Sequence, residues 1–380
     1  MQISRRDLVR LGGVAAGAGV VGRAIAAGSA IAPAAQVAQV AQVAQVARAA
    51  PAAPVSAAGA VDPLALVDPE LRPVAERVLA AAASMPPLSI QNLPAMRARS
   101  ANGPAPLPDV PVEERLIPGA RGTPEVRVYV INAAAGASRP AILDLHGGGM
   151  VAGSAKAGIA ALQQRARALG CLAVSVEYRL APEARWHESL EDDHAALAWL
   201  HRQGEALGVD PARIAVSGGS AGGGHAALLA IAARDRGEVP IRFLLLNSPM
   251  LDDRTGSTVE PPPHQGALSW SREQNRFGWR SFLGSEPGHP RTPAAAVPAR
   301  VVDLSRLPPT FIGVGSLDLF VGEDIAFARR LMDASVPTEL LVVPGAFHGS
   351  ELMAPNAAIS RRQNAAAESA LRRGLGLPAG

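Results

Sequence analysis

From about residue 110 onward, short apolar runs alternate with longer segments of mixed polarity. Strand character is carried by Glu114–Ile117, Val126–Ala133, Ala141–Leu145, Leu172–Glu177, Ile214–Ser217, Arg242–Asn247, Thr310–Val314 and Glu339–Val343. Several are continuous apolar runs, the pattern of strands buried on both faces. Only a few residues separate the first two, which predicts an antiparallel pair. Helix-length segments fill the later intervals: Ala155–Leu169, Ser189–Gln203, Ala221–Arg236, Glu323–Ala334 and Ala357–Arg373. Strand and helix in repeated alternation predict an α/β domain whose mainly parallel sheet is covered by helices on both faces.

Two stretches break the alternation. Pro69 to Ala83 is helical, with Asp68-Pro69 as its cap and first turn, and Pro and Gly then dominate to about Pro111. The long interval between Leu251 and Arg306 is rich in Pro, Gly and Trp and has no strand signal. A loop of that length inside a compact domain is expected to carry function. Residues 62–108 and 252–300 are therefore assigned to a cap over the active site, within a catalytic domain spanning 62–380.

The first 61 residues read differently. Ser4-Arg5-Arg6-Asp7-Leu8 precedes an apolar Gly/Ala/Val run, and small residues surround Ala24-Ile25-Ala26. A charged start, a short apolar core and a small-residue cleavage site make residues 1–26 a signal peptide. The paired arginines resemble the twin-arginine export signal, which implies a periplasmic or extracellular destination. The apolar run is too short for the ~20 residues of a membrane-spanning helix, so no membrane span is expected once the signal is removed. Residues 27–61, with their Ala-Gln-Val repeats, read as a low-complexity linker.

Composition is that of a globular protein, 48% apolar and 18% charged. The net charge of +3 is matched by residues 1–26 alone, where four arginines face one aspartate. The rest of the chain is formally neutral and has no basic run with interleaved aromatics, which argues against nucleic acid as a partner. Cys171 is the only cysteine. It excludes an internal disulfide and a multi-cysteine metal site, and is read as a small buried side chain just before a strand.

Chemistry concentrates at strand ends. Gly218-Gly219-Ser220-Ala221-Gly222 follows the strand Ile214–Ser217 and opens a helix. A serine there sits on a sharp strand-to-helix turn, and small residues on either side permit the bend that lifts its Oγ clear of the sheet. His146-Gly147-Gly148-Gly149 ends another strand, and its glycines let backbone N–H groups approach a ligand closely. With the N–H of Ala221, those of Gly147 and Gly148 would form an oxyanion hole. Four histidines follow Ser220. His225 lies inside the next helix, where packing or solvent is its expected setting, and His264 and His289 fall among the prolines of the cap. His348, just beyond the last strand, is the candidate base. Asp318, in Gly315-Ser316-Leu317-Asp318 after the strand Thr310–Val314, is the candidate acid. Its rivals Glu323 and Asp324 open the next helix, where carboxylates ordinarily serve the helix dipole.

Together with Tyr178-Arg179-Leu180-Ala181-Pro182-Glu183 and Phe347-His348-Gly349, these motifs resemble the bacterial hormone-sensitive-lipase family of esterases over about residues 62–375. The resemblance implies an eight-stranded α/β-hydrolase sheet, a helical cap, and hydrolysis of small-molecule esters with short-to-medium acyl groups, without metal or cofactor. It places the triad on Ser220, Asp318 and His348 and the oxyanion donors on Gly147, Gly148 and Ala221. Two positions depart from the family pattern. Gly219 stands where many members carry an acidic residue, and Ser350 where an aromatic is frequent. Arg179 and Glu183 are read as structural, tying a loop through hydrogen bonds. Amide or lactone hydrolysis on the same triad, and a non-catalytic small-molecule-binding hydrolase fold, are the alternatives. The natural ester and the oligomeric state are left open.

Overall fold

The computed structural model describes residues 62–120 and 122–378; the signal and linker assigned above lie outside the described residues. Eight strands form one sheet: β1 (Val112–Ile117), β2 (Val126–Ile131), β3 (Arg139–Leu145), β4 (Leu172–Glu177), β5 (Val209–Gly219), β6 (Phe243–Asn247), β7 (Thr310–Gly315) and β8 (Thr338–Val343). Their order is β1-β2-β4-β3-β5-β6-β7-β8. Pairing is antiparallel for β1 with β2 and for β2 with β4, and parallel from β4 to β8. Each predicted strand is present, with ends shifted by a few residues. The largest shift is in β5, which starts at Val209 paired with Arg139; residues 210–213 then bulge out of the ladder in a local turn, with the Ala212 N–H on the Asp210 carboxylate at 3.0 Å, before pairing resumes at Ile214.

Among the described residues, eight helices longer than one turn surround the sheet: α1 (Arg72–Ser84), α2 (Leu93–Ser100), α3 (Ile159–Leu169), α4 (Trp186–Leu207), α5 (Ala221–Arg236), α6 (Arg272–Leu283), α7 (Val321–Asp333) and α8 (Ala358–Gly374). Alternation along the buried strands sorts them into two layers. Leu143, Leu145, Val174, Val176, Val216, Leu244 and Ile312 face one core with α4, α5 and α7. Ile142, Ala173, Ala215, Leu245 and Phe311 face the other with α3 and α8. Cys171 is buried directly before β4, and burial pushes its thiol up to about 12.

The helix expected from Pro69 begins instead at Arg72, after a separate helical turn at Pro63–Leu66. Proline explains the shift. A helix begun at Pro69 would place Pro73 in its interior, where the missing N–H costs a hydrogen bond; begun at Arg72, Pro73 falls in the first turn, where no partner is needed. Asp68 caps the turn between, accepting from the Glu70 N–H at 2.9 Å.

The two segments assigned to the cap pack against the loops at the strand ends. Arg97 of α2 donates to the carbonyls of Val151 and Ala181 and pairs with both oxygens of Glu183. Leu268 joins Val67, Leu71 and Val74 in a small core against Leu317 and Phe347. Gly278 of α6 lies against Gly149, since a Cβ there would sit 2.5 Å from the Gly149 carbonyl.

Arg179 also has the structural role expected of it. Its Nε and Nη2 clamp the Asp192 carboxylate at 2.8 Å each, and its backbone N–H donates to the same group. Asp192 is 2% exposed. Asp192→Ala is therefore expected to destabilise the fold by about 2 kcal/mol, because the Arg179 backbone N–H and guanidinium lose their shared acceptor, while Glu188, 3.9 Å away, remains as a second counter-ion. Urea unfolding of the variant measures this.

Candidate active site

β3 and β5 are neighbours in the sheet although β4 lies between them in sequence, so the chain leaves them in opposite directions. Open α/β sheets bind ligands at such a switch. Leu145 pairs in register with Gly218, which sets the two loops level at one rim.

At the end of β5 the backbone turns sharply through Ser220, with φ 56° and ψ −124°. A non-glycine residue at positive φ costs about 1–3 kcal/mol and persists only where its surroundings hold it. Here the Ser220 N–H donates to the Asn247 carbonyl, and the Ser220 carbonyl accepts from Met250, both at 2.9 Å. The small neighbours are sterically required. A Cβ on Gly218 would lie 2.2 Å from the Gly222 carbonyl oxygen, and one on Gly222 would lie 2.0 Å from that of Leu145. Gly219 is different. A Cβ there would meet nothing nearer than Asn247 at 3.7 Å, so the absence of an acidic side chain is not imposed by space.

The His146-Gly-Gly-Gly loop turns beside the serine. A Cβ on Gly147 would come within 3.3 Å of the Ser220 Cβ. Gly148 and Gly149 have φ of 133° and 61°, conformations that favour glycine. The Gly147 and Gly148 N–H groups find no acceptor among the described residues. Ala221, the first residue of α5, likewise has an N–H that the helix cannot use. Trp270 closes over the loop: a Cβ on Gly149 would overlap its indole at 2.1 Å. The indole Nε1 donates to Asn275 of α6, 3.2 Å away.

Asp318 follows β7 and His348 follows β8. Their loops are fastened together, with the Leu317 N–H donating to Ala346 and the Gly345 N–H to the Ser316 hydroxyl, both at 2.9 Å. His348 Nε2 lies 3.0 Å from Ser220 Oγ, and its Nδ1 lies 2.8 Å from Asp318 Oδ2. The other Asp318 oxygen accepts from the Phe320 N–H at 3.0 Å, and the Phe320 ring stands edge-on to the imidazole with centroids 5.2 Å apart. Asp318 is wholly buried, whereas Ser220 and His348 are partly open. Three side chains separated by up to 128 positions in sequence thus meet at one rim.

The rival acids stand elsewhere. Glu323 accepts from the Leu251 and Asp252 N–H groups, and burial pushes both its carboxyl and that of Asp324 well upward. Neither bonds His348. Of the other histidines, His225 is buried against Asp193, His264 is half-buried and His289 is exposed. Ser350, where the family often has an aromatic, is buried at the start of a one-turn helix. Among the described residues no group of three or more His, Cys, Asp and Glu side chains is placed to hold a metal ion, and no helix is long and apolar enough to cross a membrane. Phe320 and Trp270 carry no local signal in the sequence, because their contacts with the site exist only once distant loops converge.

A serine on a strained strand-to-helix turn, bonded to a histidine that a buried aspartate orients, defines the hydrolytic site of the α/β-hydrolase class. Residues 142–352 match the family model described as "alpha/beta hydrolase fold". "Esterase LipI" of Mycobacterium tuberculosis is 34% identical over 244 residues, 64% of this chain and 75% of its own. "Carboxylesterase NlhH" of the same organism is 34% identical over 252 residues, 64% of this chain and 76% of its own. Among solved structures, "Bacterial Heroin Esterase" superposes with a TM-score of 0.74 at 38% identity, covering 83% of this chain and 99% of that one. The chain belongs to the α/β-hydrolase family, within the bacterial hormone-sensitive-lipase esterases.

The pH dependence follows from the histidine. Burial opposes its charged form, but the charge and hydrogen bond of Asp318 outweigh burial and hold the imidazole above its ordinary value. A base must be unprotonated, so kcat/KM is expected to fall as pH drops through that raised value. In Asp318→Asn the main opposition to burial is gone and only the weaker pull of Glu351 remains: the acid limb should move to lower pH while kcat falls by about 10⁴. Profiles of kcat/KM against pH for both proteins check the shift.

Proposed function

We propose that this protein hydrolyses carboxylic esters with short-to-medium acyl groups through a covalent acyl-enzyme on Ser220. The observation that carries the reading is the continuous hydrogen-bonded line from Ser220 Oγ through His348 to Asp318. His348 Nε2 takes the hydroxyl proton as Oγ attacks the ester carbonyl. The carbonyl oxygen becomes an oxyanion, which the N–H groups of Gly147, Gly148 and Ala221 receive. His348 then gives its proton to the departing alkoxide, which leaves as the alcohol. Water repeats the sequence on the acyl-serine, releasing the carboxylic acid and restoring the enzyme. Asp318 keeps the proton on Nδ1 and offsets the imidazolium charge at each stage.

Esters are favoured over amides by the similarity to relatives named esterase and carboxylesterase. The presence of all three triad members at bonding distance speaks against a non-catalytic binder. Ser220→Ala is expected to keep its fold and lose at least about 10³ of its turnover of a short 4-nitrophenyl ester. A fluorophosphonate should label Ser220 in the unaltered protein and leave the variant unlabelled. Equal turnover by the variant would remove Ser220 from the mechanism. Matched ester and anilide substrates would separate esterase from amidase.

Export by the twin-arginine route belongs to the same reading, supported by Arg5-Arg6 and the short apolar run behind them. Replacing both arginines by lysine should retain the protein in the cytoplasm, as cell fractionation would reveal.

A further inference from the structure

The mechanism leaves unused a second, fully buried histidine–carboxylate pair. Asp193 of α4 and His225 of α5 are 0% and 1% exposed, and Asp193 Oδ2 lies 2.7 Å from His225 Nδ1. We propose that this pair positions the oxyanion loop, so that Asp193 and His225 are positioning residues for the reaction at Ser220; the inference rests on the ester-hydrolase reading.

The connection runs through aromatic rings. The carboxylate fixes the plane of the His225 imidazole, which stacks on Tyr178 with centroids 4.2 Å apart and planes 27° apart. The other face of Tyr178 stacks on His146, again at 4.2 Å, with planes 9° apart. The Tyr178 hydroxyl also donates to the His146 backbone carbonyl at 2.5 Å. That carbonyl shares a peptide plane with the Gly147 N–H, and in a trans peptide the two point in opposite directions. A ring that grips the carbonyl from one side therefore sets the direction of the N–H on the other. It fixes the plane from which the three-glycine loop departs toward Ser220. Hydrogen bonding at the carbonyl also polarises the peptide and strengthens its N–H as a donor. On the far side His225 meets Phe282 of α6 edge-on at 5.4 Å, so the line of rings begins in the segment assigned to the cap.

Packing alone gives no reason for the pair. Burying a histidine and an aspartate together is no more stabilising than burying well-fitted apolar residues of the same volume. Burial raises the Asp193 carboxyl, and His225 is the neighbour that opposes the rise. His146 is driven by burial down to about 4 and so takes part as a neutral ring. What the pair supplies that apolar residues cannot is a directional bond that stops the stack from turning.

The double variant Asp193→Leu/His225→Phe keeps apolar volume and a ring against Tyr178 but removes that bond. Circular dichroism and thermal melting establish that it folds. With 4-nitrophenyl acetate, kcat should fall about tenfold and KM should stay within about twofold, because a misaimed oxyanion donor weakens the transition state more than the ground state. The inhibition constant of an alkyl trifluoromethyl ketone, which forms an oxyanion on Ser220, should rise by about the same factor. Asp193→Asn keeps an oxygen to accept from Nδ1 and should remain within about twofold of the unaltered protein. Unchanged kcat and inhibition constant in the folded double variant, or a rise in KM alone, would overturn the inference. Should the double variant not fold, His225→Gln, which offers Asp193 a donor but Tyr178 no ring, reads the same quantities with the same outcomes. Ser220-dependent turnover by the unaltered protein reports on the ester-hydrolase reading separately. Its absence would remove both readings, whereas its presence beside an unaffected double variant removes this one alone.

Discussion

The bent backbone at Ser220 is the constraint on which the site depends. A residue at φ 56° is disfavoured unless both of its peptide groups are tied, and here the chain leaving β6 ties both. Those ties bring β5 and β6 together at the rim. They also require the bare backbone of Gly218 and Gly222, because any side chain there would collide with carbonyl oxygens. Close approach of the β3 loop follows, since Gly222 packs directly on the Leu145 and His146 carbonyls. The nucleophile and the expected oxyanion donors are thus consequences of one contact between two strand ends.

The base and acid are held by a separate device. Their loops leave β7 and β8, and hydrogen bonds between the loops join them before either reaches the serine. Around them lies a distinct small core of residues from the N-terminal helical segment, the interval after β6 and the His348 loop. The histidine is thereby aimed by packing, and the aspartate by the Phe320 N–H. Dividing the site this way lets the base loop be exact in placement although it arises from an edge strand.

Much of this was legible in the amino-acid order because it is local. Continuous apolar runs gave the strands, and glycines beside a serine between a strand and a helix gave the elbow. Where reading failed, two local signals competed or a distant contact decided. Asp210-Pro211 does make a local turn, but it interrupts the ladder of β5 instead of ending the strand, because Val209 finds a partner on β3. Helix α6 has its signals in the sequence, since Ser271 and Gln274 form a reciprocal capping box and Gly284 ends the helix at positive φ. Prolines in the surrounding interval mask those signals. The Asp193–His225 pair joins two helices 32 positions apart in sequence, and neither residue stands out until both are buried.

The single cysteine has a practical consequence. With Cys171 enclosed before β4 and its thiol pushed up to about 12, scarcely any thiolate is available at neutral pH in the folded protein. A maleimide dye would then find a silent background. One engineered surface thiol, on α6 for instance, could report spectroscopically on how that helix moves against the sheet during turnover.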